Sequence, residues 1–403
     1  MARKVLGRVD VKHADARKMG FLDDDSVDLI LTSPPYWGLR SYRDAGEHYD
    51  GQVGSEDTPQ RFVDELVGMV DSEWRRVLKP EGSLWLNLGD KYASGGRSSY
   101  DSDDKNVGRG GRRLLDDARP KSLLGLPWRI ALALIDKGWI LRAEVIWSKP
   151  NGLPESVTDR VRRSHEQWFH FVLSPQYFSA VDEIREPHAE PERANRTDRF
   201  GMNPHRDDGD GAQLAGTYSP LGRLPGSVWK IPTDPLLIPD AVRESLGLVD
   251  HFAAFPQEWP RRIIMGWSPS AICVVCGAGR RPVTLRKFTG EPNAAEAVKQ
   301  RQRGVMSGGV DQVTLGRTDS ITRTIERYEC ECPEPGDARP AIVLDPFGGT
   351  GTTAGVARML GRHGISVDLS EDYCRLARWR IFDSGHFSKT EDRTWADRQT
   401  SLI

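Results

Sequence analysis

The sequence contains no apolar run long enough to span a bilayer. Its opening MARKVLGRVD also lacks the apolar segment of a secretory signal. A soluble, intracellular protein is expected. An excess of one charge is missing too. Lys and Arg number 56 against 58 Asp and Glu, a net of −2, so no global basic field marks a polyanion partner. Cysteine is scarce, with five residues in 403, four of them in two close pairs. An odd count with tight pairing fits a metal site in a reducing compartment better than a disulfide framework. No internal repeat is present. The length admits two or three domains, or one large α/β domain with insertions, and a sizeable core.

What is present is alternation. RVDVKHAD reads as a strand ending at Asp15, and SVDLILTS as a second. PQRFVDELVGMVDSEWRRVLKPEG is an amphipathic helix stopped by Lys79, Pro80 and Gly82. GSLWLNLGD is a third strand ending at Asp90. From Tyr92 to about Pro120 the chain is polar, without apolar period, and reads as a mobile loop over 92–120. SLLGLPWRIALALIDKGW then gives a helix and ILRAEVIWSKP a strand. Farther on, EQWFHFVLS and YFSAVDEI read as two strands that extend the sheet, and HFAAFPQEWPRRIIMGWS as a helix with its approach. AIVLDPFGGTGTTAGVARMLGR is strand, glycine turn and helix, HGISVDLS a strand, and EDYCRLARWRIFD a helix. Strands alternating with helices imply a mostly parallel sheet whose ligands gather at the carboxyl ends of its strands.

Two stretches carry chemistry. TSPPYW ends an apolar strand with two prolines, which fix φ and cannot extend a ladder. Ser33, Pro34, Pro35 and Tyr36 are thereby held in one geometry. DPFGGTGTT places Asp345 at a strand end, followed by Phe347, Gly348, Gly349, Thr350, Gly351 and Thr352 at a helix start. Its glycines permit a sharp turn and a close approach to a ligand. The spacing is neither G-x-G-x-x-G nor a Walker loop, which favours another nucleoside ligand over a bare phosphate. Asp368, at the end of the next strand, stands where a ribose-binding acid belongs.

Together these motifs resemble those of the amino-directed DNA methyltransferases, which move a methyl group from S-adenosylmethionine to an exocyclic base nitrogen. TSPPYW is similar to that family's catalytic tetrapeptide and DPFGGTGTT to its cofactor loop. Their order resembles the permuted arrangement called the beta group. Asp15 resembles the acid near the cofactor adenine. RVLKPEGSLWLNLGD, GWILRAEVIWSKPN and HFAAFPQEWPRRII resemble further motifs, so the likeness covers roughly residues 8–175 and 250–382. It implies a Rossmann-like fold with a seven-stranded, mostly parallel, circularly permuted sheet, and S-adenosylmethionine as cofactor. Ser33 and the Pro34 carbonyl would accept hydrogen bonds from the target amine, and Tyr36 would stack on a base swung out of duplex DNA. Trp37 reads equally as a pocket wall or as core. Members with Ser before Pro-Pro lean toward N4 of cytosine and those with Asp toward N6 of adenine. The expected function is therefore N4-cytosine methylation of specific DNA sites, with N6-adenine as the alternative and a non-catalytic zinc-bearing DNA binder as the second. RNA and protein-glutamine methyltransferases carry Asn before the prolines and place the cofactor motif first, unlike this chain. C5-cytosine chemistry needs a nucleophilic cysteine after a proline, and no cysteine here follows one.

Cys273 and Cys276 in CVVCG, with Cys330 and Cys332 in YECECP, suit tetrahedral structural zinc. The alternative is four unconnected thiols. The expected organisation is a catalytic half at 1–150, a sheet extension with target-recognition region at 151–248, and a cofactor half at 249–270 and 339–387. A zinc-binding insertion at 271–338 and a tail at 388–403 complete it. Arg112, Arg113, Arg160, Arg162 and Arg163 are candidate DNA phosphate contacts. A restriction endonuclease is a candidate partner. Asp90 and Lys149 fall near the expected pocket, with structural pairing as their default role.

Overall fold

The computed structural model describes residues 7–38, 43–44, 47–48, 51–93, 119–152, 154–187, 221–248, 254–289, 320–333, 337–385 and 387. Most of the 92–120 loop, with Arg112 and Arg113, lies outside the described residues, as does the tail beyond Phe387. By internal contacts the chain divides into two units. The larger takes 1–180, 226–280 and 332–403, and the smaller takes 181–225 and 281–331. These bounds differ from the 151–248 and 271–338 segments expected above.

The larger unit is built on one sheet. Its strands are β1 (Val9–His13), β2 (Val27–Thr32), β3 (Leu78–Leu88), β4 (Ile140–Ser148), β5 (His165–Val172), β6 (Val228–Lys230), β7 (Ile342–Asp345) and β8 (His363–Asp368). The spatial order is β1-β8-β7-β2-β3-β5-β4-β6. Neighbours from β1 to β3 run parallel, β5 is antiparallel to both β3 and β4, and β6 is parallel to β4. The sheet therefore has eight strands rather than seven. The extra one is the three-residue β6, and its residues 228–230 lie in the Pro- and Gly-rich middle, where no apolar period announces a strand. YFSAVDEI is not a strand. Its core is a 3-10 turn, Val181–Ile184, in the smaller unit.

Every residue of β2 is buried, as a strand covered on both faces requires. At its amino end a buried ion pair sets the register. Lys79 of β3 meets Asp28 of β2 at 2.5 Å, and the other Asp28 oxygen takes the Ile342 N–H of β7 at 2.7 Å. Burial pushes the Asp28 carboxyl up, and Lys79 opposes that shift.

Five helices matter for the site: α1 (Pro59–Met69), α2 (Leu126–Asp136), α3 (Glu258–Trp267), α4 (Thr352–Met359) and α5 (Glu371–Arg378). Thr58 caps α1 by accepting the Arg61 N–H, with Pro59 in the first turn. Asp90, at the end of β3, caps α2. Its carboxylate accepts from the N–H groups of Gly125 and Leu126 at 3.0 and 3.1 Å, an acid at the positive end of a helix. That places Asp90 in a structural role. An aromatic layer backs the sheet on the α3 side. Trp259 stacks on Trp168 and on Trp229, each 4.9 Å away, and Trp85 stacks on His170. Burial drops the His170 ring pKa to about 3, so it sits neutral in this layer.

In the smaller unit, strands Arg281–Thr289 and Ser320–Glu329 form an antiparallel ribbon, with one register shift after Val283. Glu186 and Arg223 form an isolated bridge and an ion pair.

Candidate active site

β7 ends at Asp345, and the chain turns at once through Pro346 to Gly351 into α4. The turn is tight enough that a Cβ on Gly348 would lie 1.9 Å from Ser366 Oγ. Gly351 caps α4 at φ +75°, and its missing Cβ would meet Ala377 and Ile381. Only glycine fits both conditions. Asp368, at the end of β8, accepts the Gly349 N–H on one oxygen and the Ser370 N–H on the other, each at 2.9 Å. These two bonds tie the end of β8 to the glycine turn and to the residue before α5.

Asp345 stands behind this loop rather than on its open face. It accepts from the hydroxyls of Thr32 and Thr353, each at 2.6 Å, and from the Phe347 N–H at 3.2 Å. Full burial pushes its carboxyl from 3.8 to about 6, against the pull of these three donors. Arg380, also buried, supports the loop from beneath. Its Nη1 donates to the Thr350 carbonyl and to the hydroxyls of Thr350 and Thr352. Burial lowers this guanidinium to about 10, with Asp234 opposing.

The other wall comes from the end of β2. Ser33 Oγ donates to Asn87 Oδ1 at 3.1 Å, while Asn87 Nδ2 donates to the Gln167 carbonyl. The Tyr36 hydroxyl lies 2.7 Å from Asn87 Oδ1 and 2.8 Å from Glu166 Oε2. Lys149 pairs with the other Glu166 oxygen. The Tyr36 ring is pressed on Gly89, where a Cβ would approach within 2.4 Å of it. Trp37 is core: it is 7% exposed, and its Nε1 donates to the Glu56 carbonyl.

Both walls bound one cavity of about 430 Å³, the size of a small-molecule site. Ser33, Pro34, Pro35, Tyr36, Asp15, Phe347, Gly348, Gly349, Thr350, Thr352 and Asp368 line it, together with Asn87, Lys149 and Glu166. Asp15 reaches it from the loop after β1, its carboxylate held by Arg17, which also bonds Glu65 and the Gly51 carbonyl. Asp345 and Gly351 are the two sequence candidates behind the wall. The chain's own residues fit a nucleoside-bearing cofactor. Two acids stand at adjacent strand ends, a glycine turn leads into a helix start, and an apolar ring is supplied by Phe347.

Sequence reasoning missed Asn87, Glu166, Thr32, Thr353 and Arg380. Asn87 interrupts the apolar run LWLNL, a signal of its place though not of its partners, whereas Glu166 lies in the polar start HEQ of its strand and carries no such signal.

The cysteines form a separate cluster. Residues 273–277 make a tight turn in which the Gly277 N–H bonds the Cys273 carbonyl, with Gly277 at φ +72°. The sulfurs of Cys273, Cys276, Cys330 and Cys332 lie within 4.8 Å of one another. Of the candidate phosphate contacts, Arg160 pairs with Glu155 and stacks 3.8 Å over Tyr92. Arg163 faces Asp90 at 3.5 Å, and Arg162 donates to the Gly152 carbonyl.

Comparison with known proteins agrees with this geometry. The family model described as DNA methylase, for N6 and N4 methyltransferases, matches residues 27–274 and 319–378. The type II methyltransferase M.SmaI of Serratia marcescens is 32% identical over 363 residues, 89% of this chain and 86% of that protein. M.XycI of Xanthomonas campestris pv. cyanopsidis is 46% identical over 169 residues, 41% of this chain and 54% of that protein. The solved PvuII DNA methyltransferase, cytosine-N4-specific, shares the fold at a TM-score of 0.51 and 16% identity, over 96% of this chain and 92% of that one. A glycine-turn cradle facing a rigid Pro-Pro corner across one pocket defines an α/β group-transfer enzyme. The chain belongs to the N6/N4 DNA methylase family. It is an S-adenosylmethionine-dependent DNA methyltransferase of the restriction-modification type, acting on N4 of cytosine or N6 of adenine. No helix among the described residues is long and apolar enough to cross a membrane.

Proposed function

We propose that the enzyme methylates N4 of cytosine, in a base swung out of duplex DNA, at a specific site. The observation that carries this reading is the neutral acceptor set at the corner. Ser33 Oγ gives its proton to Asn87 Oδ1 and keeps its lone pairs toward the cavity, where a carboxylate would mark the adenine-directed members. The amine lone pair of cytosine is delocalised into the ring. Acceptors at Ser33 and the Pro34 carbonyl favour a nitrogen whose lone pair points out of the ring plane. Because Pro34 and Pro35 hold those acceptors rigid, little reorganisation accompanies reaction. Asp368 and Asp15 would hold the ribose and adenine ends of S-adenosylmethionine, with the glycine turn and α4 start beside its amino-acid end. When bound, that cofactor supplies an electrophilic methyl group.

Genomic DNA from a methylation-deficient host expressing the chain is expected to carry modified cytosine within one short recurring sequence. Modified adenine there would move the target to N6.

The same reading gives the four thiols a structural zinc. Tetrahedral Zn–S bonds of about 2.3 Å separate sulfurs by about 3.8 Å, which the cluster meets with small adjustment. Purified protein is expected to hold one zinc per chain and to lose it on Cys276→Ser; metal-free protein of unchanged stability would contradict this. Target recognition is assigned to the 151–248 region. Phosphate contact by Arg160 or Arg163 requires exchange of their present partners, Glu155 and Asp90.

A further inference from the structure

Methyl transfer to an exocyclic amine leaves a proton to be removed. The methyl arrives without electrons, so the nitrogen that bonds it becomes positively charged and must lose one N–H. The corner acceptors hold that proton only in passing, and the cavity wall offers a path away from them. The Tyr36 hydroxyl has a single proton and two acceptors in reach, Asn87 Oδ1 at 2.7 Å and Glu166 Oε2 at 2.8 Å. It can serve only one at a time. Asn87 cannot turn its amide to relieve this, because its Nδ2 is spent on the Gln167 carbonyl. Ser33 Oγ lies 3.1 Å from the same Asn87 oxygen and 3.4 Å from the Tyr36 hydroxyl. Two hydrogen-bond arrangements therefore share one set of heavy atoms. Glu166 is held in place by Lys149, whose ammonium sits 4.2 Å over the Trp147 ring.

We propose that Ser33, Tyr36 and Glu166 form a proton outlet that ends on the Glu166 carboxylate. The methylated nitrogen gives its proton to Ser33 Oγ. Ser33 turns its own proton from Asn87 to the Tyr36 oxygen, and Tyr36 passes its proton to Glu166 Oε2. Serine and tyrosine each end with one proton, and Glu166 ends neutral beside the Lys149 cation. Lys149 compensates the negative charge before turnover and is left to be rebalanced when Glu166 releases the proton to water. Glu166 acts through Tyr36 and is a positioning and proton-accepting residue rather than one that touches the base.

The inference rests on transfer to an exocyclic amine and holds for cytosine and adenine alike. The test is single-turnover methyl transfer on saturating DNA by wild type, Tyr36→Phe, Glu166→Gln and the double variant. Tyr36→Phe keeps the stacking ring and removes only the hydroxyl. Each single change is expected to slow transfer by roughly 100-fold, the usual scale for a positioned proton acceptor. The double variant is expected to be no slower than either single one, because both interrupt one path. S-adenosylmethionine affinity should stay unchanged, Glu166→Asp should recover part of the rate, and the wild-type solvent deuterium isotope effect should vanish in both single variants. Wild-type rates in Tyr36→Phe, or effects of the two changes that multiply, would overturn the outlet. A wild-type enzyme that transfers no methyl at all would instead overturn the methyltransferase reading beneath it.

Discussion

The Thr32 hydroxyl donates a 2.6 Å hydrogen bond to Asp345, a residue 313 positions away in the chain. Thr32 is the last residue of β2, directly before the Ser-Pro-Pro corner, and Asp345 is the last residue of β7, directly before the glycine turn. The two motifs are joined at their roots by one buried bond between neighbouring parallel strands.

Cutting that bond is expected to disturb the cofactor side first. Thr32→Val keeps the shape and removes one of three donors to Asp345. A loss of about 1–3 kcal/mol in stability is expected, with weaker S-adenosylmethionine binding. Thermal unfolding and cofactor titration check it.

Asp345 also sets a pH dependence. Its carboxyl is raised from 3.8 to about 6 by burial. Between those values the native protein keeps the proton that the unfolded chain has lost. The contribution of this group to stability therefore falls as pH rises from about 4 to 6, then stays flat. The full span is roughly 3 kcal/mol. Asp345→Asn is expected to lack this slope, so the difference in Tm between wild type and variant should shrink or change sign across that window. Parallel Tm curves would contradict the assignment.

The two walls of the cavity can be separated by mutation. A Cβ at Gly89 would lie 2.4 Å from the Tyr36 ring, and one at Gly348 would lie 1.9 Å from Ser366 Oγ. Gly89→Ala is expected to abolish methyl transfer while leaving cofactor binding intact. Gly348→Ala is expected to lose cofactor binding, with partial recovery when combined with Ser366→Gly, which removes the clashing side chain. Calorimetric titration and a filter-based transfer assay distinguish them.

How far the chain could be read in advance depended on whether a feature is local. The strand ends at Ser33, Asp345 and Asp368 were legible because apolar runs stop at prolines, glycines or acids within a few residues. Asn87 and Glu166 were not, since they meet Tyr36 only through the antiparallel register that sets Asn87 opposite Trp168. No local pattern encodes such a pairing. Asp90 sits at a strand end like the others, yet it caps α2 because the Gly125 and Leu126 N–H groups reach it first. YFSAVDEI failed as a strand for a related reason. Its alternation is short, and the sheet position beside β4 is taken by Val228–Lys230. Arg380 was hidden because a buried arginine in a helical segment rich in charge looks like a surface one, although the threonines it holds, Thr350 and Thr352, were legible in the glycine turn.

Transfer to N4 of cytosine, at a site whose acceptor is Ser33, can be followed with a labelled methyl group. The direct measurement uses purified protein, methyl-labelled S-adenosylmethionine and unmethylated DNA, followed by digestion to nucleosides and separation by chromatography and mass. Label is expected in N4-methylcytosine, and is expected to be lost in Ser33→Ala with cofactor binding retained. Label in N6-methyladenine would contradict the assignment of the base.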